Sequence, residues 1–131
     1  MIVKSIADLE AAGQVKSVPN KFSSARYLLH DDGMGFTLTR TTVAAGQEVT
    51  MQYKNHIEAN LIISGEGTLT DIETGNVYAL TAGTMYAVDQ HDKHRIHSEK
   101  GLDIVCVLSP ALVGPEVHDE DGSYPLLDPD A

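Results

Sequence analysis

The chain has 131 residues, of which nineteen are Asp or Glu and nine are Lys or Arg, so the formal net charge is −10 with His neutral. That length fits one domain (1–131), and a 42% hydrophobic share supports a real core, which excludes wholesale disorder. An acidic balance with a pI near 4.8 excludes nucleic acid and anionic membrane surfaces as partners, because both need clustered Lys and Arg.

The first element in chain order is a short helix. Ser5-Ile6-Ala7-Asp8 reads as a capping box with Asp in the acidic place, Gly13 supplies a stop, and Ile6, Leu9 and Ala12 form the expected apolar side. No apolar stretch follows Met1, and none in the chain approaches membrane-spanning length, so the expected location is the cytoplasm. The rest reads as short strands, expected at residues 26–30, 36–43, 49–53, 59–64, 68–72, 76–80, 85–88, 94–97 and 103–108. Glycine turns separate them: Ala45-Gly46, Gly65-Glu66-Gly67, Glu73-Thr74-Gly75, Ala82-Gly83 and Lys100-Gly101. Many short strands at near-regular spacing predict an all-β sandwich or closed barrel of jelly-roll type. The single cysteine, Cys106, lies in the apolar run Ile104-Val105-Cys106-Val107-Leu108 and reads as a small buried hydrophobe. The last sixteen residues, 116–131, hold six acids and no Lys or Arg, so most of the net charge belongs to one tail.

The glycine spacing carries the chemistry. Gly46 is followed by five residues, then Gln52, Tyr53 and Lys54, three more residues and Glu58, then six residues and Gly65. Gly75 is followed by five residues, then Thr81, Ala82 and Gly83, two residues and Tyr86, then three residues and Gln90. Both frames resemble the paired motifs of cupin barrels, with the usual ligand histidines replaced by Gln52, Lys54 and Tyr86 and only Glu58 kept. A shell of three His and one Glu is therefore excluded. Glu58, Tyr86 and either His94 or His91 are the donors left for a facial divalent-metal site, most naturally Fe(II), with another divalent metal as the alternative.

The wording of the segments is more specific than their spacing. Tyr53-Lys54-Asn55-His56-Ile57-Glu58-Ala59, Asp89-Gln90-His91-Asp92-Lys93-His94, Val117-His118-Asp119-Glu120-Asp121-Gly122 and Asp31-Asp32-Gly33-Met34-Gly35-Phe36 resemble the ectoine synthase family from residue 1 to about Leu127. The resemblance implies a cytoplasmic, dimeric cupin lyase that cyclises N-γ-acetyl-L-2,4-diaminobutyrate to ectoine, a compatible solute. It implies an iron shell of Glu58, Tyr86 and His94. It places substrate contacts on Phe22, Arg26, Thr41, Tyr53 and Leu108, and proton transfer on Tyr53, Glu116 and His118. Arg26 would take the substrate carboxylate in a bidentate fork that Lys fills poorly. The chain departs from the family at Phe22 (usually Trp), at Leu108-Ser109 (usually Phe-Asn) and at Asn60 (commonly Val or Ala), which bears on substrate preference. Two other functions compete: a cupin enzyme acting on a different acyl-diamino acid, and a non-catalytic cupin that binds a small molecule. Residues 116–127 are expected to fold over the barrel mouth as a lid.

Overall fold

The computed structural model describes residues 1–130. Helix α1 spans Ile6–Ala11, and nine strands follow: β1 Val15–Val18, β2 Phe22–Leu28, β3 Thr37–Val43, β4 Gln47–Met51, β5 Ile57–Asp71, β6 Val77–Thr81, β7 Met85–Val88, β8 His94–Ser98 and β9 Leu102–Ser109. The capping box forms as expected, since the Ser5 side chain accepts from the Asp8 amide and the Asp8 side chain accepts from that of Ser5. Only Leu9 is buried on this helix, whereas Ile6 and Ala12 face solvent. One turn and a half cannot lay a whole face on the barrel, so a single anchor suffices.

Every strand pairing is antiparallel, and β5 organises them. Its first half lies between β9 and β7, and its second half between β6 and β8. One sheet thus runs β1-β2-β3-β9-β5-β7 and the other β6-β5-β8-β4, and together they curl into the jelly-roll barrel. Alternation sets the faces. On β5, Glu58, Asn60 and Ile62 point inward and Ile57, Leu61 and Ile63 outward; on β9, Leu102, Ile104, Cys106 and Leu108 point inward. Ile62, Leu69, Leu80, Ile96, Leu102 and Ile104 belong to the buried cluster inside.

Three expectations change. Gly65-Glu66-Gly67 is not a turn but part of the continuous strand β5. A Cβ on Gly65 would overlap the Gly101 carbonyl oxygen, and one on Gly67 would lie 2.6 Å from the carbonyl oxygen of His97. The glycines therefore let neighbouring backbones touch while β5 passes from one sheet to the other, next to a register shift between Ile62 and Ser64. Strand β1 is an addition to the expected set, and the strand expected at 26–30 begins earlier, at Phe22, because it pairs with β1. His30–Asp32 instead forms a single 3-10 turn.

Candidate active site

Strand register assembles the site. Arg26 on β2 pairs with Thr39 on β3, Thr39 with Cys106 on β9, Cys106 with Asn60 on β5, and Asn60 with Tyr86 on β7. Directly paired residues share a face, so these five side chains form one inward row across the sheet. Parallel rows place Ser24, Thr41 and Ile104 on one side, and Leu108, Glu58 and Val88 on the other. The cavity over these rows is lined by Phe22, Thr41, Tyr53, Glu58, Asn60, Tyr86, Leu108, His118 and Tyr124, among others. Of the expected site residues, Phe22, Thr41, Tyr53, Glu58, Tyr86, Leu108 and His118 thus come together around one cavity.

Glu58 is 8% exposed, and burial pushes its carboxyl up to about 7, the Asn60 amide beside it offsetting part of the rise. Among the described residues no cation pairs with it. Tyr86 lies half-buried on the next strand, its phenol held protonated first by burial and then by the charge of Glu58. The His94 ring meets Tyr86 edge-on with centroids 6.3 Å apart. His94 Nδ1 bonds the Asp92 carbonyl at 2.9 Å, which leaves the lone pair on Nε2, and Nε2 is buried without a partner. His94 is on the inward face of β8 with Ile96, and its ring centroid also lies 6.1 Å from that of Tyr53. The competing His91 is exposed, has φ +55° and bonds the Tyr53 carbonyl through Nδ1 at 2.8 Å, so its ring is committed to the loop.

Among the described residues no three His, Cys, Asp or Glu side chains form a metal cage. The set at hand, Glu58, Tyr86 and His94, relies on a tyrosine instead. It fits a divalent cation on two counts: a buried carboxylate with no counterion, and a buried imidazole nitrogen whose other nitrogen is fixed by a backbone carbonyl.

The opposite wall is polar in a different way. The Tyr53 hydroxyl lies 3.0 Å from His118 Nε2. Burial holds Tyr53 protonated. Burial, and then the nearby Arg26 guanidinium, press His118 down to about 4. A protonated phenol beside a neutral imidazole makes Tyr53 the donor and His118 Nε2 the acceptor. Tyr124 stacks on Tyr53 with centroids 5.2 Å apart and lies 4.6 Å from His118. Arg26 is 2% exposed and pairs with no carboxylate among the described residues. It sits in a vestibule beside the cavity, with Phe22, Ser24, His118 and Tyr124 common to both. Its Nη1 donates to the Gly114 carbonyl at 2.6 Å, its guanidinium lies 5.5 Å from the Tyr124 ring centroid, and its Nε is buried without a partner.

Two residues fall elsewhere than expected. Glu116 does not line the cavity: its two carboxylate oxygens accept the Val113 and Gly114 amides at 2.7 Å each, so it clamps the loop that positions Gly114 under Arg26. Lys54 does not fill a ligand position but points to solvent and pairs with Asp121. Conversely, Tyr124, Ser24, Thr39 and Cys106 line the cavity although the sequence does not single them out as site residues, and Asn60, marked only as a departure from the family, lines it too. Tyr124 carries one available signal: it is the lone aromatic of the acidic tail in a chain with seven aromatics.

That tail is docked on the barrel. Asp119 Oδ1 accepts the Asp121 and Ser123 amides, Ser123 Oγ accepts the Lys54 amide, and Asn55 donates to the Tyr124 carbonyl.

A sequence profile described as ectoine synthase matches residues 1–128. The chain is 47% identical over 126 residues to the L-ectoine synthase of Sphingopyxis alaskensis, covering 95% of this chain and 90% of that protein. It is 45% identical to that of Oceanobacillus iheyensis, covering 97% and 98%. It superposes on the crystal structure of ectoine synthase from P. lautus with a TM-score of 0.85 at 44% identity, covering 98% of this chain and 92% of that one. An RmlC-like cupin from Shewanella frigidimarina matches at a TM-score of 0.61 and 19% identity, which shows the cupin fold alone.

Proposed function

The chain belongs to the ectoine synthase family, hydro-lyases, and from that premise we propose how its own residues carry out the reaction. Its activity is the closure of N-γ-acetyl-L-2,4-diaminobutyrate to ectoine with loss of water. The α-amine lone pair forms a bond to the acetyl carbon, and the C=O π pair moves onto oxygen. The oxygen then departs as water with two protons from the nitrogens as the C=N bond forms.

Glu58, Tyr86 and His94 would hold a divalent metal, most naturally Fe(II), which when bound supplies Lewis-acid polarisation of the acetyl carbonyl. Arg26 takes the substrate carboxylate through its free Nε and remaining guanidinium hydrogens, anchored from behind by Gly114. Tyr53 and His118 serve the amine. The amine gives its proton to the Tyr53 oxygen while the Tyr53 hydroxyl proton passes to His118 Nε2 across 3.0 Å. Neutralising Arg26 with the carboxylate removes one of the charges that hold His118 down, so His118 becomes a better base when the substrate is in place. Thr41, Phe22 and Leu108 shape the wall against which the substrate folds so that amine and carbonyl meet. Residues 116–127 bring His118 and Tyr124 over the mouth and act as a lid that excludes water.

The observation that carries the metal-assisted reading is a pair of buried, uncompensated donors, the Glu58 carboxylate without a counterion and the partnerless Nε2 of His94, whose ring meets Tyr86 edge-on. The test incubates purified protein with the acetylated diaminobutyrate, with and without Fe(II), and follows ectoine. Formation that depends on Fe(II) supports the reading. Full activity after chelation refutes the metal's part, and iron bound without product favours a different acyl-diamino acid as substrate.

We place the protein in the cytoplasm, consistent with an unpaired buried thiol; no helix among the described residues is long and apolar enough to cross a membrane. We also propose a homodimer. The outward residues Ile57, Leu61 and Ile63 on β5, Met85 on β7 and Val107 on β9 are exposed and adjacent through the Leu61–Met85 and Ala59–Val107 pairings. They make an apolar surface suited to a second copy.

A further inference from the structure

Lys16 on β1 pairs with Ser24 on β2, and Arg26 follows Ser24 by two residues on the same strand. Side chains alternate along a strand, so Ser24 and Arg26 share a face, and Lys16 is a diagonal neighbour of Arg26 on that face. Such positions stand about 7 Å apart at Cβ, within reach of two long side chains. Both residues line the vestibule beside the cavity, together with Phe22, Ser24, His118 and Tyr124. Lys16 is half-buried there, whereas Arg26 is enclosed.

The charge of this pair is uncompensated. Lys4, Arg40, Lys54, Arg95 and Lys100 each pair with a carboxylate. Lys16 and Arg26 pair with none among the described residues, in a chain whose net charge is −10. No Asp or Glu lines the vestibule. Two like charges side by side repel each other, and an anion seated between them relieves the repulsion.

We propose that Lys16 is a substrate-binding residue whose ammonium takes one oxygen of the substrate carboxylate while Arg26 holds the other. This placement rests on the proposed seat of that carboxylate on Arg26. Arg26 Nη1 is spent on the Gly114 carbonyl, and Nε is among the donors left for the carboxylate. Lys16, a compact cation with three donors on a flexible stem, closes over the carboxylate from the more open side of the vestibule. Ectoine keeps the carboxylate, so the contact is equal in substrate, transition state and product. It therefore lowers KM and leaves kcat alone.

A decarboxylated analogue isolates the contact: N-acetyl-1,3-diaminopropane keeps the amine and the acetyl group and lacks only the carboxylate. Lys16→Gln should raise KM for the acetylated diaminobutyrate about 10-fold, with kcat and bound Fe(II) unchanged. The inhibition constant of the analogue should stay within about twofold of its wild-type value, because it offers Lys16 nothing to bind. Lys16→Glu should raise KM further, since a reversed charge repels the carboxylate. An equal rise in KM and in the analogue's inhibition constant would mean that Lys16 only shapes the vestibule, and it overturns the inference. So does an unchanged KM, a fall in kcat, or a Lys16→Glu variant no worse than Lys16→Gln. Wild-type protein that forms no ectoine, or an Arg26→Lys variant with an unchanged KM, would sink the functional reading itself. A raised KM in Arg26→Lys with a wild-type KM in Lys16→Gln sinks only the role of Lys16.

Discussion

Replacing Glu58 with glutamine should stabilise the metal-free protein at alkaline pH while abolishing iron binding. Burial raises the Glu58 carboxyl from 4.5 to about 7. The folded chain therefore keeps a proton that the unfolded chain has already lost. Stability tied to this group is intact below about pH 4.5 and drains away as pH rises through about 7. At about 1.4 kcal/mol per pH unit, the ionised carboxylate costs the metal-free fold about 3 kcal/mol at pH 8. A glutamine amide has no proton to lose in this range, so the Glu58→Gln protein should melt higher at pH 8, by roughly 10 °C for a domain of this size. At pH 5 the gap should shrink to about 3 °C. His118 acts in the opposite sense: its lowered pKa means that stability is lost as pH falls from about 6.5 toward 4. The informative comparison is therefore between wild type and variant at each pH. Calorimetric melts after chelation, paired with iron stoichiometry after reconstitution, read both effects. A variant that melts lower than wild type at pH 8, or a gap of the same size at both pH values, would refute the idea that Glu58 is kept buried at the expense of stability in order to hold a cation.

Three further outcomes are expected. Arg26→Lys keeps the charge but loses the fork and the fixed hold on the Gly114 carbonyl, so KM for the acetylated substrate should rise about 10- to 100-fold with little change in iron content. Gly65→Ala drives a methyl group into the Gly101 carbonyl oxygen at φ +93°; urea denaturation should show a loss of about 3 kcal/mol or more, and near-neutral behaviour would contradict the close approach of β5 and β9. Ending the chain after Gly114 removes His118 and Tyr124 from the cavity wall, so turnover should collapse while Fe(II) still binds, and unchanged turnover would refute the lid.

How much of this is legible in the sequence differs from residue to residue. Signals that act over a few residues are readable. The Ser5–Asp8 box places the helix start, since capping bonds join residues three apart. Alternation and punctuation by glycine place most strands and the inward face of Glu58, because the side-chain period of two is a local property. The spacing to Glu58 and Tyr86, and the wording around His94, mark the candidate metal donors.

Register, close approach and loop docking are decided only by the tertiary structure. Nothing within β5 says that Asn60 stands beside Cys106 and Tyr86, or that Arg26 begins the same row, because cross-strand partners are set by hydrogen bonds between distant segments. Gly65-Glu66-Gly67 has the composition of a turn, and only the position of the Gly101 carbonyl shows that it is strand. Nor does the sequence show that left-handed backbone at His91 turns its ring onto the Tyr53 carbonyl, while His94 keeps a buried, unpartnered Nε2. In the acidic tail, Glu116 and Tyr124 exchange their expected importance. Glu116 finds two backbone amides within its own loop, whereas Tyr124 finds Tyr53, His118 and Arg26 across the barrel mouth. Composition and period determine which side chains are available and which way a strand presents them. Which of them meet is a property of the closed barrel, where the contacts that build the site join parts of the chain that the sequence keeps apart.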